Sequence, residues 1–156
     1  LQVDSNNIVV FDMYHNQKKW GKNDTAVAKI SSKEGFWFLT LKSTYKSLLR
    51  EDISLTGMLG THENDPLELL RQRQGDTLNA LVYYSYAEDD FSSGSHLPKQ
   101  YIGMSPEPTA QIFISRIDTQ KNTISGHFNG YVTDNAKRNH TFGEGVFQNI
   151  PLVIVE

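Results

Sequence analysis

Five histidines, His15, His62, His96, His127 and His140, are the first side chains to weigh as acids, bases or metal ligands. No two stand at the i, i+4 or tight strand spacing by which one element assembles a zinc site, so only tertiary folding could bring them together. The stretch Ser92-Ser93-Gly94-Ser95-His96 sets hydroxyls beside an imidazole. It lacks the strained strand-to-helix turn that exposes a nucleophile, and it reads as a solvated loop. Glu88-Asp89-Asp90 offers oxygen ligands without the alternating carboxylates and central glycine of a calcium loop, and reads as an acidic tip. Asp118, Asp134 and Glu144 could run glycosidic hydrolysis if two of them converged about 5–10 Å apart in a cleft. Asp118 is better placed as a turn residue and Glu144 as a solvent-facing strand residue. No catalytic residue, metal or cofactor is therefore assigned.

Recognition has one compositional signal. Tyr83, Tyr84 and Tyr86 bring three rings with polar tips into four positions, with Trp37 and Tyr45 elsewhere, and such rings suit sugars or peptides. These three tyrosines are the ligand-contact candidates. The competing reading is packing with a wet hydroxyl, because strand alternation puts Tyr84 and Tyr86 on one face whatever they do.

Positioning these residues falls to short β-branched and aromatic runs separated by Gly, Asn, Asp and Ser clusters, the pattern of an all-β domain. Ile8–Tyr14 reads as a first strand, and the polar turn His15–Lys19 delivers Trp20 to the core. Thr25–Ile30 and Phe36–Leu41 form a hairpin around Ser31–Gly35, where Gly35 takes a positive φ. On the second of these strands Phe36 and Phe38 share one face, with Trp37, Leu39 and Leu41 on the other, so both faces should be covered. Asp52–Met58 alternates polar and apolar with Ile53 and Leu55 inward. Asp65 before Pro66 predicts the N-cap of a short helix. Thr77–Tyr86 is a strand, and Ala87–Tyr101 a Gly- and Ser-rich loop expected to be the least ordered stretch. Ala110–Ile117 and Thr123–Val132 form a hairpin, and Gly126 and Gly130 should admit a large neighbour such as Trp20 or Trp37, or permit strong coiling of the sheet. Phe142–Phe147 and Pro151–Val155 close the chain.

With 15 Lys and Arg against 18 Asp and Glu, the 156 residues carry a net charge of −3, which leaves no standing positive field for a phosphate backbone. Nucleic acid is not an expected partner. Phosphate-loop and dinucleotide glycine patterns are missing. The lack of cysteine excludes disulfides, thiol catalysis and thiolate metal sites. No run approaches the roughly 18 apolar residues of a membrane span. The expected architecture is a single all-β domain over residues 1–156. It should be an antiparallel sandwich or partly closed barrel of about eight to ten strands with one short helix. Its core should hold Trp20, Phe36, Phe38, Ile53, Leu55, Ile112, Ile114, Ile124, Phe128 and Phe147.

Three segments, Ile112–Asp118, Thr123–Phe128 and Gly143–Pro151, carry an Ile-Ser-Gly-x-Phe strand and a closing Gly-x-Phe-x-Asn-hydrophobic-Pro strand. They resemble the final hairpins of small secreted lipoprotein β domains of unknown function common in Bacteroidetes, and Asn16–Trp20 resembles that group's polar turn before a Trp. The resemblance implies an extracytoplasmic domain, in the periplasm or at the outer cell surface, secreted or held by a lipid anchor on a cysteine upstream of Leu1. The expected role is a non-enzymatic binding or accessory module of the cell envelope with a glycan or protein partner. The alternative is a glycan hydrolase using paired carboxylates.

Overall fold

The computed structural model describes residues 8–20, 25–45, 49–89 and 98–155. Ten strands and one helix follow in the order β1 (Val10–His15), β2 (Lys18–Lys19), β3 (Thr25–Lys33), β4 (Phe36–Tyr45), β5 (Glu51–Thr61), α1 (Pro66–Gln72), β6 (Thr77–Asp89), β7 (Pro98–Met104), β8 (Ala110–Asp118), β9 (Thr123–Thr133) and β10 (Asn139–Val155). The local signals explain most of the turns. Glu34 and Gly35 both take positive φ and make the two-residue turn between β3 and β4, and Asn16 and Gln17 do the same between β1 and β2. Asp118 turns β8 into β9 by accepting the backbone N–H groups of Gln120 and Lys121 at 3.1 and 3.0 Å. Asp65 caps α1 by accepting from the Leu67 N–H. The helix settles on β5 where Gly60 leaves room for Leu69.

Antiparallel pairings run β3–β4–β5–β6 and then β6–β8–β9–β10. The ring closes because Leu152–Val155 of β10 pair in parallel with Ala28–Ser31 of β3. The result is a closed seven-stranded barrel, with β1, β2 and β7 outside the ring. All-β architecture, strand number and the single short helix agree with expectation. Closure by one parallel pair departs from an all-antiparallel scheme, and it arises from β10. The segments expected as two strands form one strand of 17 residues. β10 shifts register against β9 at two places, beside the left-handed residues Glu144 and Asn149. Such bulges bend and twist a strand. Pro151, with no N–H to offer, is the last residue paired with β9, and Leu152 is the first paired with β3.

The inward stripe is continuous, with Ile30, Leu39, Leu41, Ile53, Leu55, Ile112, Ile114, Ile124, Phe128, Phe147 and Trp20 all buried. Two core expectations are corrected. Phe36 is exposed and Phe38 half-exposed, whereas Trp37 is buried and donates its indole N–H to the Asn64 carbonyl at 3.1 Å. Apolar residues occupy both faces of β4, so alternation alone does not choose, and register against β5 and the segment after it does. Of the β9 glycines, Gly126 does admit a large neighbour, the Phe147 ring, but neither glycine admits a tryptophan. Gly126 lies against the Phe113 carbonyl and the Phe147 ring, and Gly130 against Ala110. The segment expected as a loop from Ala87 to Tyr101 instead continues β6 to Asp89 and enters β7 at Pro98. Residues 90–97, including Ser92–His96, lie outside the described residues.

Candidate functional site

Two places concentrate polar or aromatic side chains, one inside the end of the barrel and one on its outer wall. The inner one is centred on Asp134, just after β9, whose side chain has 0% exposure. Its Oδ1 accepts from the backbone N–H groups of Ala136 and Arg138 at 2.8 and 3.0 Å. Its Oδ2 accepts from the Tyr86 hydroxyl at 2.5 Å and from His140 Nε2 at 2.8 Å. Burial opposes its charge. The His140, Tyr86 and backbone hydrogen bonds outweigh that and hold the carboxyl well below the usual carboxylate range. On the far side of His140, Nδ1 lies 2.9 Å from His15 Nε2, so the two rings share one hydrogen between them. Arg138 donates to Glu88 at 2.6 Å and to the Tyr86 hydroxyl at 3.3 Å, and its guanidinium lies 4.6 Å from the Tyr101 ring centre.

Tertiary folding thus joins two of the five scattered histidines, yet the arrangement organises more than it reacts. A carboxylate has about four lone-pair directions, and all four are used on partners within the fold. Among the described residues no group of three or more His, Asp or Glu side chains is placed to hold a metal ion. Asp118 ends β8 opposite Thr123 at the start of β9, Asp134 follows the other end of β9, and Glu144 is exposed on β10, so these three carboxylates share no cleft.

The tyrosine candidates divide. Tyr84 and Tyr86 are 1% and 7% exposed, stacked on each other at 5.3 Å inside the barrel end. Their hydroxyls donate to Glu51 and Asp134. Burial, then the Glu51 carboxylate, push the Tyr84 phenol far above its usual range; burial and the bond to Asp134 push Tyr86 up to about 12. A sugar could not stack on either ring without opening the barrel. Tyr83 faces the other way and is half-exposed on the outer wall. Of the acidic tip, Glu88 is paired with Arg138, and Asp90 lies outside the described residues.

The outer wall of β1, β10, β9 and β8 carries the second place. A depression of about 430 Å3 is lined by Gln111, Phe113, His127, Asn129, Glu144 and Val146, with Thr77 at its rim. It continues past Gly143 into a hollow of about 420 Å3 beside Tyr14, Gln17 and Thr141, and into another of about 400 Å3 beside Asn79, Thr109 and Tyr131. The furrow exists because β10 bulges opposite Asn129 and because Gly143 has no side chain. A Cβ built there meets nothing within 4 Å. Phe113, Tyr131 and Tyr14 offer exposed ring surface, although Lys19, paired with Asp12 at 2.8 Å, partly covers Tyr14. Sequence reasoning passed over Phe113, Asn129 and Tyr131. The signal was present, since alternation against buried Ile112, Ile114 and Phe128 turns them outward, and aromatic rings at solvent-facing strand positions need a reason.

No family model, curated protein or solved structure matches the chain.

Proposed function

We propose that this protein is a non-enzymatic binding module of the cell envelope that takes a glycan chain along the furrow on β1, β10, β9 and β8. The observation that carries the reading is the composition of that furrow. Exposed Phe113 and Tyr131 rings flank the amides of Gln111 and Asn129 and the carboxylate of Glu144, and past Glu144 the open space over Gly143 carries the furrow on to Tyr14. Rings cover the apolar faces of a sugar, while amides and carboxylates meet its hydroxyls. A long, shallow, open trough on a sheet suits a chain, where a small molecule would call for a deeper pocket. The extracytoplasmic, secreted or lipid-anchored setting rests on the resemblance of Ile112–Asp118, Thr123–Phe128 and Gly143–Pro151, which together supply most of the furrow's strands.

The test is retention and calorimetry of the purified protein against a panel of polysaccharides, with the incubated glycans analysed for cleavage. Binding of at least one polymer, weakened tenfold or more by Phe113→Ala or Tyr131→Ala with the melting temperature unchanged, is the expected result. Binding that survives both substitutions, or silence across the panel, overturns it. Cleaved products would instead support the hydrolase alternative.

A further inference from the structure

Next to the furrow, two residues beyond Asn79 on the same face of β6, the outer wall of β4, β5, β6 and β7 carries an apolar stripe that neither the barrel core nor the furrow explains. Met58, Leu81 and Met104 are 45%, 43% and 67% exposed, and they step diagonally across neighbouring strands. Phe38 stands directly opposite Met58, Leu81 is opposite Thr56, and Met104 is opposite Tyr83, so the stripe is continuous through side-chain neighbours. Two of the chain's three methionines are in it. Methionine on a surface gives an adaptable, polarizable contact for the side chains of a partner. Exposed lysines lie along one flank. Lys29 and Lys42, both exposed, lie on the β3–β4 side, and neither forms a salt bridge with another described residue. Asp52 at the upper edge is already held by Arg50 at 2.9 Å and Thr44 at 2.7 Å.

We infer that this stripe docks an acidic amphipathic helix of a protein partner, its apolar side chains over Met58, Leu81 and Met104 and its carboxylates against Lys29 and Lys42. The dimensions fit. Met58 to Met104 is two strand spacings across and four residues along, about 16 Å, the rise of roughly eleven helical residues and hence of apolar anchors at i, i+4, i+7 and i+11. Three exposed lysines on this flank, Lys29, Lys33 and Lys42, on a chain of net charge −3 fall short of the cluster of about four to eight basic residues that anionic lipid attracts. Four strands by about four residues project roughly 200 Å2, far below the roughly 800 Å2 per partner of a stable dimer. A protein helix is the occupant that uses both the stripe and the lysines.

The experiment measures fluorescence anisotropy with two labelled helical peptides that share leucines at i, i+4, i+7 and i+11. One carries Glu along the flank and the other Lys. The Glu peptide is expected to bind saturably, at least tenfold more tightly than the Lys peptide. Met104→Glu or Leu81→Glu, both at exposed positions, should weaken it at least tenfold, and the double variant Lys29→Glu/Lys42→Glu should reverse the preference. Phe113→Ala in the furrow should leave peptide binding unchanged, which separates this surface from the glycan reading. Equal binding of the two peptides, or binding indifferent to Met104→Glu, overturns the inference. So does phosphatidylglycerol-vesicle binding, or concentration-dependent dimerisation, that Met104→Glu abolishes while neither peptide binds.

Discussion

At the scale of single residues, Asp134 decides whether one end of the barrel holds. Its carboxylate ties the turn after β9 to β6 through Tyr86 and to β1 through His140 and His15. Asp134→Ala orphans two backbone N–H groups, a phenol and an imidazole together, and should cost about 3 kcal/mol. Thermal denaturation would then show a fall in Tm of roughly 6–12 °C for a chain of this size. Asp134→Asn keeps the shape and one acceptor and should lose less. The pH dependence follows from the direction of each shift. Asp134 is held below its ordinary value, so its contribution is whole above about pH 4, the unfolded carboxylate range, and is lost as pH falls through the lower folded value. Tyr86 is shifted the other way. Its contribution is whole below about pH 10 and lost as pH rises through about 12. In an alkaline absorbance titration of the seven tyrosines, Tyr84 and Tyr86 should ionise last, and Tyr86→Phe should remove one late step. Ionisation of all seven in one early step, with the fold intact, would show these two hydroxyls are not held as described.

At the scale of the element, two glycines of β9 and β10 separate packing from function. Gly126 faces inward, where a Cβ would lie 1.9 Å from the Phe113 carbonyl oxygen, a backbone atom that cannot swing aside. Gly126→Ala should therefore destabilise by about 3 kcal/mol, read by denaturant midpoint, as overpacking does when the neighbour is rigid. Gly143 has an ordinary φ and open space above it. Gly143→Leu should leave the midpoint within about 0.5 kcal/mol while filling the furrow floor and abolishing polysaccharide retention. If Gly143→Leu bound glycan as well as the parent, the furrow would not be the site. The bulges at Glu144 and Asn149 belong to the same argument, since they let one strand serve β9 first and β3 afterwards.

For the whole molecule, the parallel pair between β3 and β10 is what makes a barrel out of a curved sheet. A chain ended after Pro151 would lose Leu152–Val155 and leave the β3 edge, with Ala28 and Ile30 beneath it, unpaired. Unpaired edges seek strands from other molecules. The shortened protein should melt at lower temperature and scatter light on standing, and a shortened chain that stays monomeric with an unchanged Tm would mean the ring does not depend on this pair.

Much of this architecture was legible in the residues, because hairpins and caps are local. The turn at Gly35, the turn from Asp118, the Asp65-Pro66 helix start and the period-two burial of Ile53, Leu55, Ile112, Ile114 and Ile124 each depend on neighbours within a few positions. What tertiary structure decided depends on contacts between residues too far apart in sequence for local pattern to report, from about twenty positions between β4 and β5 to more than a hundred between β1 and β10. Alternation could say that Tyr84 and Tyr86 share a face, and only barrel closure made that face the inside. Phe38 and Trp37 compete for the core with equal local claims, and the pairing of β4 with β5 settles which turns inward. His15 and His140, 125 positions apart, meet only because β1 lies along β10. Local periodicity reports which side chains travel together, while the free energy of closing the ring fixes which side is buried and what is left for a partner to touch.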